Sequence, residues 1–220
     1  MPNQVPSCGL YLISPESFHL EEFSGQLKQA FLGGKIYVFQ LRMKNTSDEV
    51  IIAACKTLLP ICHAHGTQFI LNDKIDLVNK SGADGVHLGI EDTNPQIARE
   101  KLGANKIIGV SCYADGDRAI DAAGQGADYV AFGAFYDTQT KTPRGRPGPE
   151  ILTWWTENSG VPCVAIGGIK YHNCAPLVSA GADFIAVVTA VWDDPDGPEA
   201  AVKKLNMAIN IARHSVQVRE

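Results

Sequence analysis

The sequence has no excess of basic residues, no long apolar run and no paired-cysteine motif, and each absence removes a class of function. Lysine and arginine number 19 against 24 aspartates and glutamates, a formal net charge of −5. A global basic field for nucleic acid is therefore missing, and any anionic ligand must be held by a few local cations or a metal. No stretch approaches the ~18 apolar residues that span a bilayer, and the first residues, MPNQVPSCGLYLIS, lack the basic start and apolar length of a signal peptide. The six cysteines show no C-x-x-C pair and no ligand-like spacing, which predicts free, mostly buried thiols and a cytoplasmic protein. Walker, HExxH and nucleophile-elbow motifs are also missing, and no Cys–His spacing stands out, so covalent catalysis has little support.

What is present is β-rich and repetitive. Hydrophobic residues make up 45% of the 220 positions, enough for one sizeable core. Eight short runs read as strands: 9–14, 36–41, 68–72, 85–88, 106–110, 129–132, 162–166 and 184–188. Most are apolar almost throughout, as parallel strands buried on both faces are, and the segments between several of them are long enough for a crossover helix. Gly-Ala-Asp recurs at 82–84, 126–128 and 181–183, each time at the entrance to a strand. The glycine suits the residue after a finished helix and the aspartate the turn that follows. Eight such units predict an α/β fold, a single (β/α)8 TIM barrel over residues 1–220. An open doubly wound sheet is the alternative, but no G-x-G-x-x-G follows the first strand.

A barrel of this kind builds its active site from the loops after the strands. Strand 2 runs into Gln40-Leu41-Arg42-Met43-Lys44, and alternation puts Gln40, Arg42 and Lys44 on one side. That placement suits the grip of an anion, or else a solvated strand end. Asn72-Asp73 ends strand 3 and Glu91-Asp92 follows strand 4. Asp73 and Asp92 could share one Mg²⁺ whose other sites go to water and phosphate oxygens, or Asp73 could only cap the next helix. His87 sits in the apolar run GVHLG, where a satisfied core histidine is the commoner case. Ser111 offers a hydroxyl to a phosphate or simply forms a turn. After strand 6, Thr138, Thr140 and Lys141 sit in a long Gly- and Pro-rich loop that suits an anion or a closing lid. Gly167-Gly168 and Val188-Thr189 stand after strands 7 and 8, the usual place of a barrel phosphate site.

The ordered set QLRMK (40–44), LNDKIDL (71–77), GADGVHLGIED (82–92), IIGVS (107–111), FGAFYDTQTK (132–141), AIGGI (165–169) and FIAVVTA (184–190) resembles the thiamine-phosphate synthase family. The resemblance covers nearly the whole chain. It implies a transferase that joins hydroxymethylpyrimidine diphosphate to a thiazole phosphate. It further implies Gln40, Arg42, Lys44, Asn72, Ser111 and Lys141 as pyrimidine diphosphate contacts, and Asp73 and Asp92 as Mg²⁺ ligands. Thr138, Thr140, Gly168, Val188 and Thr189 fall on the thiazole phosphate side, while Gly167 and His87 join the substrate-contact set. Arg42, Lys44, Ser111 and Lys141 are the expected catalytic groups. The partners implied are phosphorylated small molecules, with neither nucleic acid nor membrane; a homo-oligomer is compatible with a sequence that is silent on assembly. Three positions depart from the family pattern: Ile90 stands where Gln is usual, Ala134 where Pro is typical, and Cys112-Tyr113 where Thr-His is common. Two other readings remain, a thiazole tautomerase of the same fold and a non-catalytic phosphate-binding barrel.

Overall fold

The computed structural model describes residues 8–89, 92–138 and 145–217. In chain order the described elements are β1 (Gly9–Ile13), α1 (Leu20–Leu32), β2 (Val38–Leu41), α2 (Asp48–Ala64), β3 (Gln68–Asn72), α3 (Ile75–Ser81), β4 (Gly85–Leu88) and α4 (Pro95–Leu102). There follow β5 (Ile107–Tyr113), α5 (Gly116–Gly124), β6 (Tyr129–Gly133), α6 (Glu150–Asn158), β7 (Cys163–Ile166), α7 (Ala175–Ser179), β8 (Phe184–Val187), α8 (Thr189–Trp192) and α9 (Gly197–Gln217). The strands pair in parallel in sequence order, and β8 closes on β1 through Leu12 opposite Val187. All eight predicted strands are in place. The open-sheet alternative fails because no strand is left at an edge.

Period-two alternation sorts the strand residues into two apolar populations. Leu10, Leu12, Phe39, Leu41, Phe69, Val86 and Phe132 face outward and pack with Phe23, Leu58 and Trp155 of the surrounding helices. Tyr11, Val38, Ile70, Tyr129, Val164 and Phe184 point inward and fill the lower barrel. Among the described residues that half keeps a void of only about 10 Å³, and the barrel opens at the C-terminal ends of the strands.

The Gly-Ala-Asp repeat has one structural role in all three copies. Gly82, Gly126 and Gly181 each take a positive φ (81°, 92° and 101°) after a helix, a backbone state that costs a side-chain-bearing residue extra energy. The aspartate that follows then clips the preceding strand. A carboxylate oxygen accepts from the amide of Phe69 (Asp84, 2.7 Å), Ile108 (Asp128, 2.7 Å) or Cys163 (Asp183, 2.8 Å). The backbone N–H of the same aspartate donates to the carbonyl of that same residue. Asp128 is further held by Arg99 at 2.6 Å, and Asp84 by His63 at 2.9 Å. The aspartate is thus a strand-entry clamp rather than only a turn former.

The six cysteines are all free and buried, as predicted. Among the described residues no helix is long and apolar enough to cross a membrane.

Candidate active site

A cavity of about 300 Å³ opens where the strands end. Ile13, Gln40, Asn72, His87, Ser111, Ala131 and Ile166 supply its floor. Arg42, Lys44, Asp73 and Asp92 stand on one side, and Thr138, Gly167, Gly168, Val188 and Thr189 line the rest.

The strand 2 side follows from alternation. Gln40 is buried and its amide donates to Asn72 Oδ1 at 3.1 Å, which orients both side chains. The Arg42 amide donates to Ser14 Oγ at 2.9 Å, and its guanidinium is paired with Glu16. The Arg42 side chain is only 12% exposed, so it belongs to the cavity wall and not to a solvated strand end. Leu41 and Met43 pack outward against the core, as expected from the pattern.

Asp73 has φ 63°, a left-handed state that costs a non-glycine residue about 1 kcal/mol or more. Its carboxylate accepts from Asn72 Nδ2 at 2.6 Å, and Asp92 is its nearest acidic neighbour in the cavity wall. Burial first, then the neighbouring Asp92, pushes the Asp73 carboxyl up to about 6, while Lys44 and Arg42 pull the other way. Asp92 Oδ2 also accepts from the Gly89 amide at 2.6 Å. The helix-cap alternative for Asp73 fails, because Lys74 is the residue that precedes α3 and it makes no side-chain cap. Among the described residues no group of three or more His, Cys, Asp or Glu forms a metal cluster. Two facing carboxylates still match the way Mg²⁺ is held by one or two carboxylates, with the remaining sites left to phosphate oxygens and water.

His87 is bonded through both ring nitrogens, Nδ1 to Tyr129 Oη and Nε2 to Ser111 Oγ, each at 2.9 Å. Tyr129 Oη meets Tyr11 Oη at 2.8 Å. A four-residue hydrogen-bonded chain therefore rises from the plugged lower barrel to the cavity floor. Burial raises both tyrosines well above the ordinary phenol range, so the chain is built from neutral hydroxyls. Ser111 lies inside β5 instead of ending it, because that strand continues to Tyr113 past a register shift. Arg118 Nε donates to its carbonyl at 3.0 Å. Its turn-forming alternative does not hold.

The far end is made of backbone. Strand β8 stops at Val187, and Val188-Thr189 open the short helix α8, whose Trp192 Nε1 donates to the Ile13 carbonyl at 2.7 Å. Gly167 (φ 104°) and Gly168 (φ 64°) lie against the loop after β6, where a Cβ on Gly168 would sit 2.3 Å from the Asp137 carbonyl oxygen. Only glycine fits there.

The model of the thiamine monophosphate synthase family matches residues 10–191. The chain belongs to the thiamine-phosphate synthase family. It is 49% identical over 202 residues to a thiamine-phosphate synthase of Rhodospirillum centenum, covering 92% of this chain and 98% of that one. A thiamine-phosphate synthase of Erythrobacter litoralis is 46% identical over 187 residues, or 83% and 87% of the two chains. Among solved structures, the thiamine phosphate pyrophosphorylase of Pyrococcus furiosus superposes with a TM-score of 0.82 at 30% identity, covering 94% of this chain and 98% of that one.

Of the site residues expected from the sequence, Gln40, Arg42, Lys44, Asn72, Asp73, His87, Asp92, Ser111, Thr138, Gly167, Gly168, Val188 and Thr189 all line the one cavity. Thr140, Lys141 and Ile90 lie outside the described residues. In the same loop, Arg146 pairs with the exposed Asp137. Of the departures, Ala134 and Tyr113 both reach the cavity wall, whereas Cys112 is buried in the outer core. Sequence reasoning missed Ser14, Glu16, Tyr11, Tyr129 and Tyr113. Of these, only Tyr113 carried a usable signal, since period two places it on the same side of β5 as Ser111.

Proposed function

We propose that this chain carries the activity of its family, joining hydroxymethylpyrimidine diphosphate to a thiazole phosphate to give thiamine phosphate and diphosphate. One observation carries the reading. The two sides of a single cavity differ in chemistry: cations and two carboxylates stand on one, next to the amide pair of the floor, and glycine backbone beside Thr138 and Thr189 on the other. That is the division needed by two substrates of which one brings a diphosphate and the other a monophosphate.

Arg42 and Lys44 would bind the diphosphate, with Lys141 added from the resemblance. Asp73 and Asp92 would hold a Mg²⁺, which when bound supplies charge neutralisation for the departing diphosphate. Gln40 and Asn72, already bonded to each other, present a fixed donor and acceptor edge to a flat aminopyrimidine. The bond between the exocyclic carbon and the diphosphate oxygen breaks with the electron pair leaving on oxygen. The electron-rich pyrimidine bears the positive charge left on carbon, and the thiazole nitrogen lone pair then forms the new carbon–nitrogen bond. No proton is removed from the nucleophile, so no strong protein base is required. The protein contributes positioning, electrostatics and exclusion of water. Ser111 is held by His87 and through it by Tyr129, which fixes a hydroxyl at the cavity floor.

The test is to incubate the purified protein with both substrates, with and without Mg²⁺, and to look for thiamine phosphate. Formation only with Mg²⁺ supports the whole reading. No product with Mg²⁺ shifts the function to the tautomerase or to a phosphate-binding barrel, neither of which needs the paired carboxylates.

A further inference from the structure

We propose that Asn173, braced by Tyr136, is a positioning residue for the phosphate end of the cavity, acting through the peptide groups on either side of Ile169. The inference rests on the reading above, in which a thiazole phosphate occupies that end. Neither side chain lines the cavity, so the effect runs through the backbone.

Asn173 lies between β7 and α7. Its Nδ2 donates to the Gly168 carbonyl at 3.1 Å, and its Oδ1 accepts from the Lys170 amide at 2.7 Å. One side chain therefore grips both peptide groups that flank Ile169. A trans peptide is planar, with its C=O and N–H pointing in opposite directions. Holding the Gly168 carbonyl against Asn173 thus sends the Ile169 N–H the other way. The preceding peptide is fixed by the same logic. The Tyr136 amide donates to the Gly167 carbonyl at 3.0 Å, which sends the Gly168 N–H away from Tyr136.

Neither the Gly168 nor the Ile169 N–H donates to a backbone acceptor among the described residues. Two successive backbone donors with their carbonyls tied back are the kind of anion receptor that backbone concavities make. Further ties hold this part of the frame. Tyr136 Oη donates to the Asn173 carbonyl at 2.7 Å. The Asn173 amide donates to the Lys170 carbonyl at 3.1 Å, and the Phe135 amide to the Ile166 carbonyl at 3.2 Å. The loops after β6 and β7 are in this way laced together, and a phosphate would meet donors aimed before it arrives.

The experiment compares the wild-type protein with Asn173→Ala, Asn173→Asp and Tyr136→Phe in steady-state kinetics on both substrates. Asn173→Ala should raise the KM for thiazole phosphate about tenfold, the loss expected when one charge-assisted donor is misaimed, and leave the KM for the pyrimidine diphosphate within about twofold. Asn173→Asp keeps the acceptor for Lys170 but sets a carboxylate against the Gly168 carbonyl, so it should be at least as damaging. Tyr136→Phe removes only the brace and should shift the same KM by less; if the Asn173 variants do not fold, this variant decides. Inorganic phosphate should raise the melting temperature of the wild type and do so less for each variant. Equal rises in both KM values, or a loss confined to kcat, or an unchanged response to phosphate, would overturn the proposal. If the wild type makes no thiamine phosphate, the functional reading fails separately, and the phosphate-induced change in melting temperature still reports on Asn173.

Discussion

Tyr129 fills the space that a side chain on Gly109 would need: a Cβ on that glycine would lie 1.9 Å from Tyr129 Cζ. Strand β5 gives up a side chain so that a ring from β6 can cross beneath it and reach His87 in β4. Gly109→Ala should therefore displace the Tyr129 ring and cost about 1–3 kcal/mol, as overpacking of a filled core does. Urea or thermal unfolding measures that loss. A variant as stable as wild type would show that the lower barrel is looser than its packing indicates.

Loss of one electrostatic stabiliser from the site should spare the fold and damage the chemistry. Asp73→Ala and Lys141→Ala are each expected to lower kcat at least ~10²-fold with an unchanged circular dichroism spectrum. Near-normal turnover in both variants would remove those residues from their assigned roles.

The carboxylate pair also predicts a response that does not depend on turnover. Because Asp73 and Asp92 line the same cavity and Asp92 disfavours ionisation of Asp73, a divalent cation that relieves the repulsion should stabilise the native state by mass action. Mg²⁺ is expected to raise the melting temperature of the wild type and to have a much smaller effect on Asp92→Ala. An equal rise in both proteins would place Mg²⁺ elsewhere.

Burial raises the Asp183 carboxyl above the ordinary carboxylate range, and its hydrogen bonds to Cys163 only partly offset this. A raised folded-state pKa means that the stabilising neutral form is fully present below the unfolded value. The advantage is lost as pH rises through the folded one. Asp183→Asn keeps an acceptor for the Cys163 amide and cannot ionise. Its melting temperature relative to wild type should therefore become more favourable as pH rises from about 4 towards neutrality. A difference that stays flat across that range would show that Asp183 ionises without penalty.

Much of the site was legible because period two is a local rule. Gln40, Arg42 and Lys44 were placed on one side of a strand end by counting alone, and the cavity contains all three. Ser111 and His87 were ambiguous, each with a bland reading, because nothing near either residue in the sequence announces the other. They are 24 positions apart and meet at 2.9 Å only because β4 and β5 are neighbours. The ion pair between Arg42 and Glu16 was not legible at all, since it joins the loop after β1 to the end of β2.

By itself the sequence determined eight buried strands, their separating helices, the buried thiols and the inward polar residues, since each follows from hydrophobic content and short-range periodicity. The tertiary structure alone decided how those residues are joined: the chain from Tyr11 through Tyr129 and His87 to Ser111, the contact between Asp73 and Asp92, and the lacing of Asn173 to Gly168. In the first two of these, residues from different strands or their end loops are brought together by barrel closure and strand stagger, and in the third the link is a loop geometry. No local period encodes either.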